Sequence, residues 1–182
     1  EHVYAARADA VWPGMSSIVH GDLNLNNVLL DEKENIYVID FSETHIGDLS
    51  SDFSRLEPIA LLQMTRTEKE SDIAALLRYI HAIVRPERMF DPPYAYDGDD
   101  PFMPKAHALV RLLREEVRQL SGGRHHAAPY LLGLLHWSLP VVMFRQMSLL
   151  GKQTSCYASA LLTEALLEAD PEAARLFHPP AR

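Results

Sequence analysis

Two short apolar runs, Val28–Leu30 and Ile36–Ile39, stand either side of Asp31-Glu32-Lys33-Glu34-Asn35. The second run is rich in β-branched residues, the first opens on one, and both are too short for a helix. Their polar connection is a turn, so the pattern predicts a β-hairpin. That constrains the chain more than any other feature. Antiparallel pairing puts the residues before the first strand beside those after the second. Asp22 and Asn27 precede the first strand, and Asp40 follows the second. The hairpin therefore gathers a carboxylate, an amide and a second carboxylate at one edge.

Such a set suits a hard divalent ion. Magnesium takes oxygen ligands, few from protein and the rest from phosphate and water. A carboxylate left off the metal can accept a proton from a hydroxyl. In phosphoryl transfer a base Asp sits in an H-x-D-x-x-x-x-N loop, and a metal-holding Asp follows a strand. His20, Asp22 and Asn27 keep that spacing, and Asp40-Phe41 comes after the second strand.

At these residues the chain resembles the C-terminal lobe of the aminoglycoside phosphotransferase / choline kinase-like family, which has a protein-kinase-like fold. The resemblance rests on His20-Gly21-Asp22-Leu23, Asn27, Ile39-Asp40-Phe41 and the later Asp52. It implies that Asp22 is the catalytic base and that Asn27 and Asp40 hold Mg2+ against ATP. It implies that His20 fixes the loop and that Asp52 braces the loop backbone from a following helix. Gly21 stands where most protein kinases carry Arg, which favours a small-molecule substrate. Asn24 stands where relatives often have Lys or His, and Ser42 replaces a Gly. Asn26 is adjacent, and spacing selects Asn27 over it.

Several residues also have plainer roles. His20 reads as a buried structural histidine rather than a base, because Asp22 is better placed for that task. Asp31 and Glu32 read as turn residues. Asp48 reads as a helix N-cap, and Asp52 suits a first helical turn. Residues 85–104 hold Pro86, Pro92, Pro93, Pro101 and Pro104 with Asp91, Asp97, Asp99, Asp100, Tyr94 and Tyr96. An exposed loop is the favoured reading of that segment. The sharper one makes Asp97, Asp99, Asp100, Tyr94 and Tyr96 a substrate wall for a cationic hydroxyl compound. His125-His126 lacks a third ligand nearby for a metal. Cys156 reads as an inert thiol in an apolar helix.

Composition bounds the rest. At 182 residues, 47% hydrophobic and 23% charged, the chain can build a real core. A net charge of −8 argues against a nucleic-acid partner. One cysteine allows no internal disulfide, which favours the cytoplasm. Leu131–Phe144 is interrupted by His136, Ser138 and Pro140, so no membrane partner is expected.

The expected fold class is α+β, mainly helical: a kinase-like C-lobe with a small β-hairpin carrying the active edge. After Asp48 the rhythm turns helical, with a kink or break near Pro58. Helices are expected from about Glu68 to Pro86, about Lys105–Leu120, about Pro129–Leu150 with a kink at Pro140, and about Gln153–Ala169. A kinase-like enzyme also needs a phosphate-covering loop and a Lys that grips ATP. Residues 1–19 contain no Lys and no glycine-rich loop. The expectation is therefore a piece of a longer protein. Residues 1–17 would be a linker from a missing N-terminal lobe, and 18–182 the C-terminal lobe. Within it, 18–52 would carry the catalytic and metal loops and 53–182 a helical subdomain.

The function expected of the full-length protein is ATP- and Mg2+-dependent phosphoryl transfer to a hydroxyl of a small molecule, with this chain alone inactive. Two rivals remain. One is a non-catalytic kinase-like interaction module. The other is a metal-dependent phosphohydrolase using His20, Asp22, Asp40 and Asp48.

Overall fold

The hairpin forms as its sequence predicts. Strand β2 (Val28–Leu30) pairs antiparallel with β3 (Ile36–Val38), and Val28 faces Val38. The computed structural model describes residues 14–65, 69–91, 95–96, 98–124 and 126–170. Asp31 organises the turn. Its Oδ1 accepts the amides of Lys33 and Asn35 at 2.8 and 2.9 Å, and its Oδ2 accepts Asn35 Nδ2 at 2.8 Å. Hydrogen bonds, led by the Asn35 side chain, hold its carboxyl below the usual carboxylate range.

A second two-stranded sheet joins β1 (Ser16–Val19) to β4 (His45–Asp48), with Ser16 facing Asp48 and Val19 facing His45. Of the linker expected over 1–17, Ser16 and Ser17 are paired strand residues, and residues 1–13 lie outside those described. Asp48 also differs from expectation. It ends a strand, and its Oδ1 accepts the amide of Ser50, the residue that precedes the next helix, at 2.8 Å.

The remainder is helical, giving the α+β, mainly helical class. Helix α1 spans Ser51–Pro58 and widens into a π-helical run, Ile59–Gln63. Pro58 has no N–H to give, and the helix widens immediately after it. Helix α2 is Glu70–Ile83, α3 Met103–Leu120, α4 Ala127–Ser138 and α5 Leu149–Ala169. The single helix expected over about 129–150 is corrected. After α4 the chain makes a 3-10 turn, Leu139–Met143, and leaves helical geometry at Phe144. Ser148 then caps α5, its Oγ accepting the Gly151 amide at 3.0 Å. Cys156 lies in α5 as expected, on its exposed side.

Leu76, Ile80, Val110, Leu131, Leu134, Leu162 and Leu166 form the core among α2, α3, α4 and α5. Helix α1 lies close on α4 because Gly133 has no side chain. A Cβ there would come within 2.1 Å of Ser54 Oγ. Inside this core sits a buried polar knot. Arg114 on α3 donates through Nε and Nη2 to the Glu57 carboxylate of α1, at 2.9 and 2.5 Å. Its Nη1 donates to the carbonyls of Ile83 and Met89. Tyr130 of α4 donates to Glu57 Oε2 at 2.8 Å. Burial works against the Arg114 charge, but Glu57 more than offsets it and holds the guanidinium pKa above its ordinary value. The knot ties α1, α2, α3 and α4 together behind the β-sheets.

Among the described residues, no helix is long and apolar enough to cross a membrane.

Candidate functional site

The loop from His20 to Asn27 is shaped by its own polar groups and by one carboxylate from α1. Gly21 adopts φ +81°, and a Cβ there would meet the Glu43 carbonyl at 2.3 Å. Only glycine fits both demands. Asp52, in the first turn of α1, accepts the His20 amide at 2.7 Å and the Gly21 amide at 3.1 Å. This is the bracing contact that the resemblance implied for Asp52.

His20 is buried and ties the two loops together. The Asp22 amide donates to its Nδ1 at 3.3 Å, which leaves the ring proton on Nε2. That nitrogen donates to the Ile39 carbonyl at 2.9 Å. The ring also packs against Phe41, with centroids 5.0 Å apart. His20 therefore fastens the residue before Asp40 to the loop that carries Asp22. It has no nitrogen left to act as a base.

Asn27 is the buried asparagine and Asn26 the exposed one. Asn27 Nδ2 donates to the Asp22 carbonyl at 2.9 Å and to Asp22 Oδ2 at 3.2 Å. Its backbone carbonyl accepts the Ile39 amide at 3.0 Å, extending the hairpin to the residue before Asp40. Asn24 shapes the same loop from within. Its Nδ2 donates to the Asp22 carbonyl at 2.9 Å and its Oδ1 accepts the Asn26 amide at 2.9 Å.

Asp40 is exposed and left-handed, at φ 63° and ψ 66°. Few non-glycine residues adopt this conformation, and aspartate is among those that do. Ser42 Oγ donates to Asp40 Oδ1 at 2.9 Å. The hairpin thus brings Asp22, Asn27 and the Asp40 backbone to one edge.

A magnesium ion shared with phosphate would suit this edge. Asn27 commits its Nδ2 to Asp22, which leaves its amide oxygen as a hard donor. Among the described residues, no group of three or more His, Cys, Asp and Glu is arranged to hold a metal.

Arg55 was not legible as a site residue. It projects from α1 three positions after Asp52, so both face the loop. Its Nη2 pairs with Asp22 Oδ1, and its Nη1 donates to the Gly21 carbonyl at 3.3 Å. Its guanidinium also lies over the Trp137 ring of α4, 3.7 Å from the centroid. His136 stands edge-on to Trp137, and burial, then the Arg55 charge, lower its pKa. Arg55 and Trp137 help to line an open cleft of about 630 Å³ between the β1–β4 sheet, α1 and α4. The spacing from Asp52 was the available signal for Arg55; nothing local marked Trp137.

The residues of the expected substrate wall are placed otherwise. Asp100 is buried, and its Oδ1 accepts the Phe102 amide at 2.8 Å where α3 begins. Tyr96 packs edge-on to Tyr79 at 6.1 Å, against the core. Asp99 is exposed. None of the three lines the cleft. Tyr94 and Asp97 lie outside the described residues.

A protein of Bacillus subtilis (strain 168), the uncharacterized protein YcbJ, is 38% identical over 72 residues. The match covers 39% of this chain and 21% of that protein, so the chain spans about a fifth of its length. No solved structure matches. The resemblance to the aminoglycoside phosphotransferase / choline kinase-like family is overturned by the family comparison, which indicates no kinase-like family. The matching family model is that of ternary complex associated domain 9, and it covers residues 4–137. The chain belongs to the ternary complex associated domain 9 family.

Proposed function

We propose that the edge formed by Asp22, Asn27 and Asp40 serves ATP- and magnesium-dependent phosphoryl transfer to a hydroxyl of a small molecule, in the protein that carries this chain. The reading stands on chemistry at the edge and not on family membership. One observation carries it. Asn27 donates to Asp22 Oδ2 at 3.2 Å while His20 fastens the same loop to Ile39, next to Asp40. Asp22, Asn27 and the backbone leading into Asp40 are so held in fixed relation, which is what positioning catalysis requires.

In this reading Asp22 orients the acceptor hydroxyl and takes its proton as the oxygen–phosphorus bond forms and ADP leaves. Asn27 fixes the rotamer of Asp22. Asp40 and the Asn27 amide oxygen would hold magnesium, which supplies charge neutralisation on the nucleotide phosphates when bound. His20 and Asp52 hold the loop and take no part in proton transfer. The cytoplasm is the proposed compartment, in keeping with a single cysteine and an ATP-dependent reaction.

One observation favours a second reading, a non-catalytic interaction module. Arg55 already occupies Asp22 Oδ1, so the base is not open as it stands. Transfer from γ-labelled ATP to a panel of small hydroxyl compounds, with magnesium, separates the two. Transfer is expected, and Asp22→Asn should lower it by about 10² to 10⁴. If Asp22→Asn keeps most of the transfer, or the protein transfers nothing, the module is the better reading.

A further inference from the structure

The cleft beside Asp22 is large enough for a small molecule, since ligand pockets run from roughly 300 to 1,000 Å³. Its walls include Pro129, Leu132 and Trp137, with Arg55 at the end nearest the candidate base. Two carboxylates line it, Asp48 and Asp52. Asp52 spends both oxygens on the amides of His20 and Gly21, and Asp48 Oδ1 is taken by Ser50. The fixed positive charge with spare hydrogen-bonding capacity there is the Arg55 guanidinium. It has five N–H donors, of which the Asp22 and Gly21 contacts use two. Trp137 holds its plane from one side. A planar, stacked guanidinium is the usual partner of a carboxylate or phosphate.

From this juxtaposition we infer that the cleft seats a hydroxyl compound bearing a carboxylate, which Arg55 anchors while turning away from Asp22. The inference rests on the reading of Asp22 as the hydroxyl-activating group. It names the acceptor class, and it reverses the cationic acceptor expected from the acidic loop. The Arg55–Asp22 contact can exchange because it is partly wetted. The Arg55 side chain is 13% exposed and that of Asp22 36%. An incoming carboxylate offers Arg55 an equivalent partner, so the exchange costs little. Asp22 is then released beside the acceptor's own hydroxyl. The base opens only when a compound of the right charge is in the cleft.

The test is calorimetry without nucleotide or metal, using D-gluconate and D-glycerate against sorbitol and choline. Gluconate and glycerate should bind, and sorbitol and choline should bind at least about tenfold more weakly. Arg55→Gln should weaken gluconate by about tenfold to a hundredfold, with circular dichroism confirming the fold. His45→Glu is the second variant. It adds a carboxylate at the exposed cleft mouth on β4, and should weaken gluconate by about threefold or more. Equal binding of sorbitol or choline, no binding of either acid, or gluconate binding untouched by both variants would overturn the inference. The two readings fail separately. Gluconate binding without any phosphoryl transfer keeps the cleft and removes the role of Asp22. Transfer to sorbitol with no preference for gluconate keeps Asp22 and removes the anionic acceptor.

Discussion

The molecule contains two arginine–carboxylate pairs that are chemically alike and physically opposite. Glu57 and Arg114 are 1% and 2% exposed, and each is held by further partners. Arg55 lines an open cleft and pairs with Asp22, and the two side chains are 13% and 36% exposed. A buried ion pair is held by what removing either partner would leave behind, an uncompensated charge in low dielectric. A wetted pair has water and solutes as alternatives, so its partners can be exchanged. Burial, and not the pairing itself, separates scaffold from candidate machinery here.

The largest expected effect comes from breaking the buried pair. Glu57→Ala should destabilise the fold by about 3–5 kcal/mol, read by chemical denaturation, because Arg114 keeps its charge with no carboxylate. Asp22→Asn should change stability by less than about 1 kcal/mol in the same assay. Equal losses would show that the two pairs do not differ as claimed. Tyr130 belongs on the buried side of the comparison. Burial, with Glu57 adding, raises its phenol pKa well above the usual value, so it remains a donor to Glu57.

Asp52→Ala is intermediate. It strips one carboxylate from two loop amides, those of His20 and Gly21, and should cost about 1–3 kcal/mol. Hydrogen exchange should quicken at those two amides first. If exchange there is unchanged, Asp52 does not brace the loop.

What the sequence made legible follows from distance along the chain. The hairpin, its turn at Asp31, Asn27 in preference to Asn26, and Asp52 in a first helical turn all follow from spacing over short stretches. The β1–β4 sheet was missed because His45-Ile46-Gly47-Asp48 offers one apolar residue and no alternation. Ile46 is in fact 78% exposed, so packing gave that strand no hydrophobic signature. Pro140 was read as a kink in one helix. Ser148 was overlooked as a cap, although the two together mark a stop and a restart. Glu57 and Arg114 lie 57 positions apart, and nothing local marks either as the other's partner. The same limit hid the stacking of Arg55 on Trp137. It also made Asp100 look like part of a substrate wall when its carboxylate serves the start of α3.

The smallest effect concerns pH. Burial, then Arg55, lowers the pKa of His136 when the chain is folded. Below the usual histidine value of about 6.5 the unfolded chain therefore binds more protons than the folded one. Stability should fall as pH drops from that value through the lowered folded pKa. His136→Gln should flatten that part of the stability–pH curve and leave the curve above neutral pH unchanged. An unaltered acid limb would show that His136 does not feel the cleft wall as described.

The most direct measurement compares Asp22→Asn with Asp40→Asn by magnesium titration of both nucleotide binding and phosphoryl transfer in the protein that carries this chain. A base acts on the acceptor hydroxyl, so Asp22→Asn should lower turnover by about 10² to 10⁴ and leave magnesium–nucleotide binding nearly intact. Asp40→Asn removes a charged oxygen donor, so it should weaken magnesium–nucleotide binding together with the rate. The same magnesium dependence in the two variants would contradict the division of labour drawn at this edge.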